Sequence, residues 1–381
     1  MMPKRPRLFL VDAFNLIFRA YHARQRSGAA PMRTSRGTST EAIYIFHNMI
    51  RRIQRQFTPD ALAAAFESEG PTLRDQEFAA YKANRAETPP ELIEQIPNIA
   101  RLLAALSVPV LQQAGYEADD VIGTIAQRAA AAGYEVTVVS SDKDMLQLVG
   151  DGISVLDPMK NDTLYDAPKV QEFKGVPPER IADLLALSGD SVDNIPGAPG
   201  IGEKGAVQLL GQFGSLDALL ERAVEVPRKA YRESLLYFKD QILLSKRLAT
   251  IHRDAPLTVE LDALQVQPPD REALAAIYRE LEFFSFLKEL DTTSPSAAAA
   301  DTRETTTIET AEELGKFLEA APADEPVAVA FDPPAPDGLG GGALGLATAS
   351  ASASAAWPLL HSLQSALGRR SFTVHDYKSL L

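Results

Sequence analysis

The chain has no cysteine among its 381 residues and no apolar run long enough to span a bilayer. The absence of cysteine excludes disulfides, thiolate nucleophiles and cysteine-bound zinc, and it suits a reducing cytoplasm. The apolar run Leu8–Val11 ends at Asp12, so it is too short for the core of a signal peptide. No stretch approaches the roughly 20 apolar residues that a transmembrane helix needs.

Positive charge is also scarce, since 38 Lys and Arg face 51 Asp and Glu and the net charge is −13. That balance argues against a protein that simply coats nucleic acid. The charge is unevenly distributed, however. Residues 1–60 hold 11 basic and 3 acidic side chains, whereas residues 291–381 hold 5 basic and 12 acidic ones. A basic rim around an acidic pocket fits a nuclease better than a passive nucleic-acid binder.

Strand-like and helix-like patterns alternate over the first part of the chain. The strand candidates are LFLV, DALAAAF, YEVTVVS and ISVLD. The helix candidates, with a 3.6-residue period, are EAIYIFHNMIRRIQRQF, PELIEQIPNIARLLAALS and ADDVIGTIAQRAAAAG. This alternation predicts an α/β fold over residues 1–176, with a central, mostly parallel sheet and flanking helices.

The remainder of the chain changes character twice. Residues 177–290 are mostly helical in pattern, and their two longest helical stretches are RESLLYFKDQILLSKRLATI and DREALAAIYRELEFFSFLKEL. Residues 291–301 form a linker of small residues with one proline. Residues 302–381 form a second, shorter α/β piece. We therefore expect a nuclease-like domain, a helical subdomain, a linker and a partial third domain.

Nine carboxylates lie where strands end or helices begin in this pattern. Because the carboxyl ends of parallel strands meet at one edge of a sheet, we expect the acids to converge on one cleft. Helix capping or a polar turn would explain some of them singly, but hardly the whole set. Oxygen ligands without cysteine or paired histidine favour Mg²⁺ or Mn²⁺, which suggests a two-metal phosphodiesterase site. The nine are Asp12, Glu67, Glu117, Asp119, Asp120, Asp142, Asp144, Asp190 and Asp193.

A basic segment with one aromatic residue, YKANR, lies between the second and third groups of acids. On a shared helical face, Lys82 and Arg85 would stabilise charge on a phosphate, and Tyr81 would stack on an unpaired base. The alternative for this segment alone is a solvated helix face. Arg19 and Arg74 are further candidates for phosphate contacts.

A glycine-rich turn, IPGAPGIGEKGA, leads into an apolar helical pattern. Glycines leave backbone amides open to a phosphate, and the carbonyls of such a turn could bind a monovalent cation. The alternative is a plain turn between two helices. The candidate DNA contacts in this turn are Gly197, Gly200, Ile201, Gly202 and Lys204.

Together these motifs resemble the 5′–3′ exonuclease (flap endonuclease) domains at the N-terminus of bacterial DNA polymerases I. The motifs LVDAFNLIFRAYHA, YKANR, YEADD, SSDKDMLQL and SGDSVDNIPGAPGIGEKGA follow in family order over about residues 6–290. The resemblance implies that the acids other than Glu67 form the metal cluster. It also implies that Lys82 and Arg85 act on the scissile phosphate, and that the glycine turn is a helix–three-turn–helix holding duplex DNA with K⁺. Glu67 and Gly205 depart from the family, which usually has Asp and Thr there.

The resemblance further implies a metal-dependent 5′ nuclease acting on DNA flaps, nicks and RNA-primed ends, in primer removal and excision repair. We expect a monomer in the cytoplasm, near the nucleoid, with a polymerase portion normally in the same chain. A small metal-dependent ribonuclease is one alternative, but the glycine turn and helical tail argue against it. A DNA-binding pseudonuclease is another, but the nearly complete acid set argues against it.

Residues 302–381 resemble the start of a degenerate 3′–5′ exonuclease-like domain. The strand VAVAFD ends in Asp332-Pro333-Pro334 where that family has Asp-x-Glu, so the Glu is missing. The segment HDYKSLL resembles the next motif without its usual metal-binding Asp. We expect no proofreading activity from this piece, and no nucleotide incorporation.

Overall fold

The computed structural model describes residues 5–26, 28, 30–85, 87–292, 305–320, 327–332, 343–348, 352–356, 359, 363 and 372–375. The chain divides into two compact units, Met1–Leu287 and Lys288–Leu381. Each unit is built around a sheet of its own. Within the described ranges, no helix is both long and apolar enough to cross a bilayer.

The first unit contains a six-stranded sheet. Its strands are β1 (Arg7–Asp12), β2 (Ala61–Ala65), β3 (Val110–Leu111), β4 (Glu135–Val139), β5 (Ile153–Asp157) and β6 (Thr163–Tyr165). They lie in the order β3-β2-β1-β4-β5-β6, and only β5 and β6 pair antiparallel. The central strands β1, β2 and β4 are almost wholly buried, as their unbroken apolar runs require when helices cover both faces. The predicted α/β fold with a mostly parallel sheet is confirmed.

Helices flank this sheet and then form the helical part of the unit. Around the sheet lie α1 (Ala13–Arg26), α2 (Glu41–Arg52), α3 (Leu73–Glu77), α4 (Pro90–Ile93), α5 (Ile96–Ala105), α6 (Ala118–Ala131) and α7 (Ala167–Lys174). Beyond them lie α8 (Ile181–Ser188), α9 (Glu203–Phe213), α10 (Leu216–Glu221), α11 (Lys229–Tyr237), α12 (Lys239–Ala249), α13 (Arg271–Glu280) and α14 (Phe284–Thr292). The segment Ile53–Phe57 is π-helical. Short 3₁₀ helices cover Asp144–Leu148, Pro178–Arg180, Ala223–Glu225 and Leu261–Leu264.

The two longest predicted helices are each broken in the structure. Phe238 separates α11 from α12, and Glu282 lies between α13 and α14 with a left-handed φ of 58°. The second break lets Phe283 turn into the interior, where it is 4% exposed. Apolar periodicity predicted helix on both sides of each break. It could not predict the break itself, because one residue outside the helical conformation leaves the apolar spacing almost unchanged.

One hydrophobic core runs from the sheet into the helical part. Leu8 and Leu10 of β1 and Val121 of α6 belong to the same buried cluster as Leu184 of α8 and Leu248 of α12. Burial of this apolar surface is the main force that holds the two parts together. The acidic edge of the sheet and the glycine turn therefore belong to one body.

The second unit, taken by itself, contains a five-stranded mixed sheet and one described helix. Its elements are β7 (Thr305–Ile308), α15 (Ala311–Glu319), β8 (Val327–Asp332), β9 (Ala343–Ala347), β10 (Ser352–Ala356) and β11 (Phe372–His375). The strand order is β11-β8-β9-β10-β7. Strand β8 carries the segment that we compared with an exonuclease motif. Pro333, Pro334 and residues 376–381, on which the predicted loss of acids rests, lie outside the described residues.

The glycine turn joins α8 to α9. Asp190 and Ile195 exchange two backbone hydrogen bonds in the loop that leads into it, with N···O distances of 2.9 and 2.7 Å. Gly197 has a φ of 64°, and a Cβ there would lie 2.4 Å from the backbone nitrogen of Gly189. Gly200 also has a positive φ, of 80°, but a Cβ there would meet no atom within 4 Å. Close packing therefore requires glycine at position 197, and backbone conformation alone favours it at position 200.

These two glycines give a matched test of the turn. We expect Gly197→Ala to lower the free energy of unfolding by about 2–4 kcal/mol, because overpacking adds to the cost of the left-handed conformation. Gly200→Ala should cost only about 1–2 kcal/mol, the conformational part alone. Urea unfolding followed by circular dichroism measures both values. Equal losses for the two variants would contradict the packing at Gly197.

Candidate active site

Acidic side chains gather at the carboxyl edge of the first sheet. Asp12 ends β1, Glu67 lies just beyond β2, and Asp142 lies just beyond β4. Asp119 is in the first turn of α6. A cleft of about 1090 Å³ opens over this edge, and all four side chains line it. The structure therefore brings together carboxylates from three strand ends and one helix start, as the topology of a parallel sheet allows.

Crowding and burial disfavour the charged forms of these acids. Burial raises the pKa of Asp12 to about 7, and the charge of nearby Asp142 adds to the rise. A hydrogen bond from the Ser140 hydroxyl acts in the opposite direction and lowers the pKa. Burial also raises the pKa of Asp119 well above its usual value, and the charges of Asp12 and Asp142 raise it further. The pKa of Asp142 is raised mainly by burial. A bound cation would offset this repulsion.

Three more acids lie beside this group. Burial raises the pKa of Asp144 well above its usual value, and the charges of Asp142, Asp190 and Asp193 raise it further. Asp190 organises its own loop, since one of its oxygens accepts the amides of Val192 at 2.6 Å and Asp193 at 3.3 Å. These acids extend the negative charge from the sheet edge toward the glycine turn.

The donor set fits a hard divalent cation. Every candidate ligand offers carboxylate oxygens, which Mg²⁺ and Mn²⁺ prefer. Within the described part of the chain, no three acidic or histidine side chains are already arranged to enclose an ion. The crowding of Asp12, Asp119 and Asp142 in one cleft favours a cation here, and repulsion from neighbouring acids helps to raise the pKa of Asp12 and of Asp119.

Glu67 lies in this cleft, as predicted for a strand-end acid. Its carboxylate accepts the backbone N–H of Ala118 at 3.1 Å, at the start of α6. Burial raises its pKa, while the positive charge of Lys82 opposes the rise. The longer side chain therefore reaches the same edge as Asp12.

Arg74 is 4% exposed and gives all five of its N–H donors to the protein. Its two terminal nitrogens bind the Asp120 carboxylate at 2.7 and 2.8 Å, and one also binds Glu117 at 3.1 Å. The remaining donors bind the carbonyls of Leu248 and Thr250 at 2.8 and 2.7 Å. The predicted contact between Arg74 and DNA is therefore wrong, because no donor is left for a phosphate.

Asp120 faces Arg74 rather than the cleft. Burial alone would raise its pKa, but hydrogen bonds and charge from Arg74 lower it. Its oxygens also accept the amides of His252 at 2.8 Å and Glu117 at 3.1 Å. With both oxygens engaged inside the protein, Asp120 does not fit the predicted role of metal ligand.

The YKANR segment forms successive turns instead of the predicted helical face. Lys82 has a left-handed φ of 55°, and its amide donates to the Asp193 carbonyl at 2.9 Å. Its ammonium pairs with Glu117, and Arg85 pairs with Asp193 at 2.7 Å. Lys82 and Arg85 both line the cleft. Tyr81 is 6% exposed and donates its hydroxyl to Glu117 at 3.2 Å, so its ring is packed inside the protein and does not line the cleft, contrary to what base stacking requires.

An aromatic row on α1 was missed by the sequence analysis. Phe14, Phe18 and His22 line the cleft at four-residue spacing, with ring centroids 6.3 and 4.3 Å apart. Arg19 lines the same cleft and donates to the Ser141 carbonyl at 3.2 Å. The i, i+4, i+8 spacing was visible in the sequence, but no helix was predicted there, so the residues were not assigned to one face.

Two serines after β4 were also missed. The Ser140 hydroxyl donates to Asp12 at 2.7 Å, and the Ser141 hydroxyl donates to buried Asp157 at 2.6 Å. Both serines directly precede Asp142 in SSDKD, so their position beside a candidate acid was the sequence feature that could have indicated a role in the site. They fix the loop that carries Asp142 and orient the carboxylate of Asp12.

The glycine-turn candidates fall into two classes. Gly200, Gly202 and Lys204 are exposed, whereas Gly197 and Ile201 are buried. The buried pair holds the turn in place, and the exposed residues present amides and one ammonium to solvent.

Comparison with known proteins agrees with this architecture. Residues 7–175 match the family described as 5′–3′ exonuclease, N-terminal resolvase-like domain, and residues 176–272 match 5′–3′ exonuclease, C-terminal SAM fold. DNA polymerase I of Bacillus caldotenax is 40% identical over 296 residues, which are 77% of this chain and 33% of that protein. DNA polymerase I of Chloroflexus aurantiacus is 43% identical over 284 residues, 73% of this chain and 30% of that protein. The chain thus spans about a third of these relatives' length.

Solved structures share the fold at lower identity. A structure of the bacteriophage T5 5′-exonuclease with bound divalent zinc has a TM-score of 0.53 and 21% identity, over 74% of this chain and 98% of that one. A bacteriophage T5 flap endonuclease in a pseudo-enzyme–product complex with DNA and metal ions also has a TM-score of 0.53, with 22% identity, over 74% and 97%.

The buried Arg74 cluster gives a prediction about stability. Arg74→Met should lower the free energy of unfolding by about 3–5 kcal/mol, because it leaves the buried Asp120 carboxylate without a cation. The matched control is Arg247→Met, since Arg247 forms an exposed ion pair with Glu77. This substitution should lower the free energy of unfolding by less than about 1 kcal/mol. Chemical unfolding of both variants checks the difference. Similar losses of unfolding free energy for the two variants would contradict a stabilising role for the buried Arg74 cluster.

Proposed function

The chain belongs to the 5′–3′ exonuclease family through residues 7–272, and we propose that it is a metal-dependent nuclease that cleaves DNA at 5′ flaps, nicks and RNA-primed ends. One observation carries this proposal: a single cleft is lined by the acids Asp12, Asp119 and Asp142 and by the bases Lys82 and Arg85. Such a cleft combines donors for a cation with donors for a phosphate.

We propose two Mg²⁺ or Mn²⁺ ions as the cofactor. The cleft-lining acids, with Asp144, Asp190 and Asp193 beside them, would hold these ions. When bound, such ions supply an activated water and offset the charge that develops on the phosphate. The T5 5′-exonuclease, which shares this fold, was solved with divalent zinc. That observation supports a divalent metal without deciding which one.

Lys82 and Arg85 are the proposed phosphate-binding pair. Glu117 holds the Lys82 ammonium and Asp193 holds the Arg85 guanidinium. Both cations are therefore oriented before substrate arrives, which lowers the entropy cost of reaching the transition state. Preorganised donors of this kind are typically worth about 10²–10³-fold in rate. Arg19, on the same cleft wall, would add a further phosphate contact.

The unpaired 5′ end would stack on α1. Phe14 and Phe18 are partly exposed in the cleft, whereas Tyr81 is buried. Stacking on an aromatic face is tolerant of base sequence, as a structure-specific nuclease requires. We therefore assign to these phenylalanines the role first predicted for Tyr81.

The exposed part of the glycine turn would hold the duplex. Amides near Gly200 and Gly202 and the ammonium of Lys204 can meet a phosphate without a side chain in the way. The carbonyls of the turn would hold a K⁺ ion, which would supply positive charge for binding the DNA backbone. Gly197 and Ile201 would act indirectly, by fixing the turn.

The relatives support a proposed biological role. Because they are DNA polymerases I of which this chain covers only about a third, we propose that a polymerase portion normally accompanies this nuclease. The function would be RNA primer removal and excision repair, by a monomer in the cytoplasm near the nucleoid.

Metal dependence is the main test of the proposed function. The chain should cut 5′-flap DNA near the junction with Mg²⁺ or Mn²⁺ and not in excess chelator. Asp119→Asn should abolish cutting but keep DNA binding, since it removes one charge from a crowded negative cleft. Gel assays with flap duplex and with single-stranded RNA measure cutting, and fluorescence anisotropy measures DNA binding. Preferential cutting of RNA would favour the ribonuclease alternative, and binding without cutting would favour a pseudonuclease.

The stacking assignment has its own test. Phe18→Ala should weaken binding of a 5′-flap substrate by roughly 5- to 100-fold, the usual range for losing one stacked base, while Phe18→Tyr should retain it. Anisotropy with flap and blunt duplexes measures the effect. A loss that is equal on blunt duplex would argue against stacking of an unpaired base.

A further inference from the structure

Helix α12 holds the glycine turn from one side. Gln241 donates its side-chain amide to the Gly197 carbonyl at 2.8 Å, and the Gly197 N–H donates to the Ser245 hydroxyl at 3.0 Å. The Ser245 side chain is fully buried. Both backbone groups of the tightly packed glycine are therefore bound by one helix, and the turn and α12 should move together.

The chain at the end of α12 is tied to α6. Arg74 donates to the carbonyls of Leu248 and Thr250 while it binds Asp120 at the start of α6. The amide of His252 donates to the same carboxylate at 2.8 Å. The last turn of α12 and the acid-bearing end of α6 are thus held by one buried ionic cluster.

The same stretch of chain is tied to the other acid-bearing element. Gln147 lies in the 3₁₀ helix that begins at Asp144 and is 5% exposed. Its side chain donates to the Ala249 carbonyl and accepts the Ile251 amide, both at 2.9 Å. Residues 239–252, here called the strut, therefore contact the glycine turn, the start of α6 and the loop that follows β4.

We propose that the strut couples duplex binding at the glycine turn to the alignment of the acidic cleft, with Arg74 and Gln147 as positioning residues. This inference rests on the proposed function. Arg74 reaches the cleft through Glu117, which holds the ammonium of Lys82. Buried hydrogen bonds within a close-packed core transmit small displacements, because such a core has few ways to absorb them.

A double-mutant cycle tests the coupling. Ser245→Ala loosens the turn end of the strut, and Arg74→Lys loosens the cleft end while keeping a positive charge. Each should lower the single-turnover rate on a long-duplex flap by roughly 3- to 30-fold. The double variant should be only slightly slower than the slower of the two single variants, since both substitutions break the same connection between the glycine turn and the cleft. Gln147→Met serves as a second cleft-end variant if Arg74→Lys folds poorly, and thermal melting checks each protein.

The matched control is Arg128→Lys. Arg128 also donates to two carbonyls after the strut, those of Leu257 at 2.8 Å and Ala255 at 3.2 Å, but it lies at the far end of α6 from the acids. It should leave the rate unchanged and combine additively with Ser245→Ala. A second control is a flap on a duplex too short to reach the glycine turn. Arg74→Lys should erase the rate advantage of the long duplex, whereas a merely structural loss would lower both rates equally.

Amide hydrogen exchange supplies a readout that does not need cleavage. Binding of plain duplex should slow exchange at residues 117–121 in the parent chain, and this protection should disappear in Ser245→Ala. Protection without any DNA cleavage would overturn the proposed function and leave the coupling standing. Cleavage with additive losses in the cycle, or duplex binding without protection at the start of α6, would overturn the coupling.

Discussion

The ion pair between Arg74 and Asp120 is buried where α3, α6 and the end of α12 meet. Removing these charges from water is costly, and the cost is offset only because every donor of the guanidinium has a protein acceptor. Two of those acceptors are main-chain carbonyls at the end of α12, so the pair fixes backbone as well as side chains. Glu117 shares the same cation and in turn orients Lys82 and Tyr81. The geometry of the cleft wall therefore depends on one arginine that never reaches the cleft.

Neighbouring acids at the start of α6 show how burial produces different chemistry from the same side chain. Asp119 and Asp120 are consecutive, yet the pKa of the first is raised by burial and by other acids, while that of the second, despite burial, is lowered by Arg74. One turns toward the cleft and the other toward the helical part, as successive helix positions must. Adjacent carboxylates in a sequence can therefore differ in position and charge, since one faces an open cleft and the other anchors two helices through Arg74.

The sequence predicted the features that depend on local pattern. Apolar runs that end in acids predicted the parallel strands and the acidic edge, and the glycine spacing predicted the turn between α8 and α9. It did not predict features set by distant partners. Tyr81 is buried because Glu117 accepts its hydroxyl, and the turns around Lys82 form against the backbone of Asp193. Arg74 looked like a phosphate ligand because its acceptors at Leu248 and Thr250 lie far along the chain. The helical breaks at Phe238 and Glu282 were invisible to periodicity, because the apolar spacing is helical on both sides of each break.

The left-handed backbone at Lys82 places a conformational cost and a buried charged contact at the same position. A lysine there costs roughly 1–2 kcal/mol that glycine would not. Glycine would relax the turn and could still donate its backbone N–H to the Asp193 carbonyl, but it would remove the ammonium that pairs with buried Glu117. Position 82 therefore combines a backbone conformation that favours glycine with a buried carboxylate that is stabilised by a cation. A substitution there that relieves the backbone also leaves Glu117 with one cation fewer.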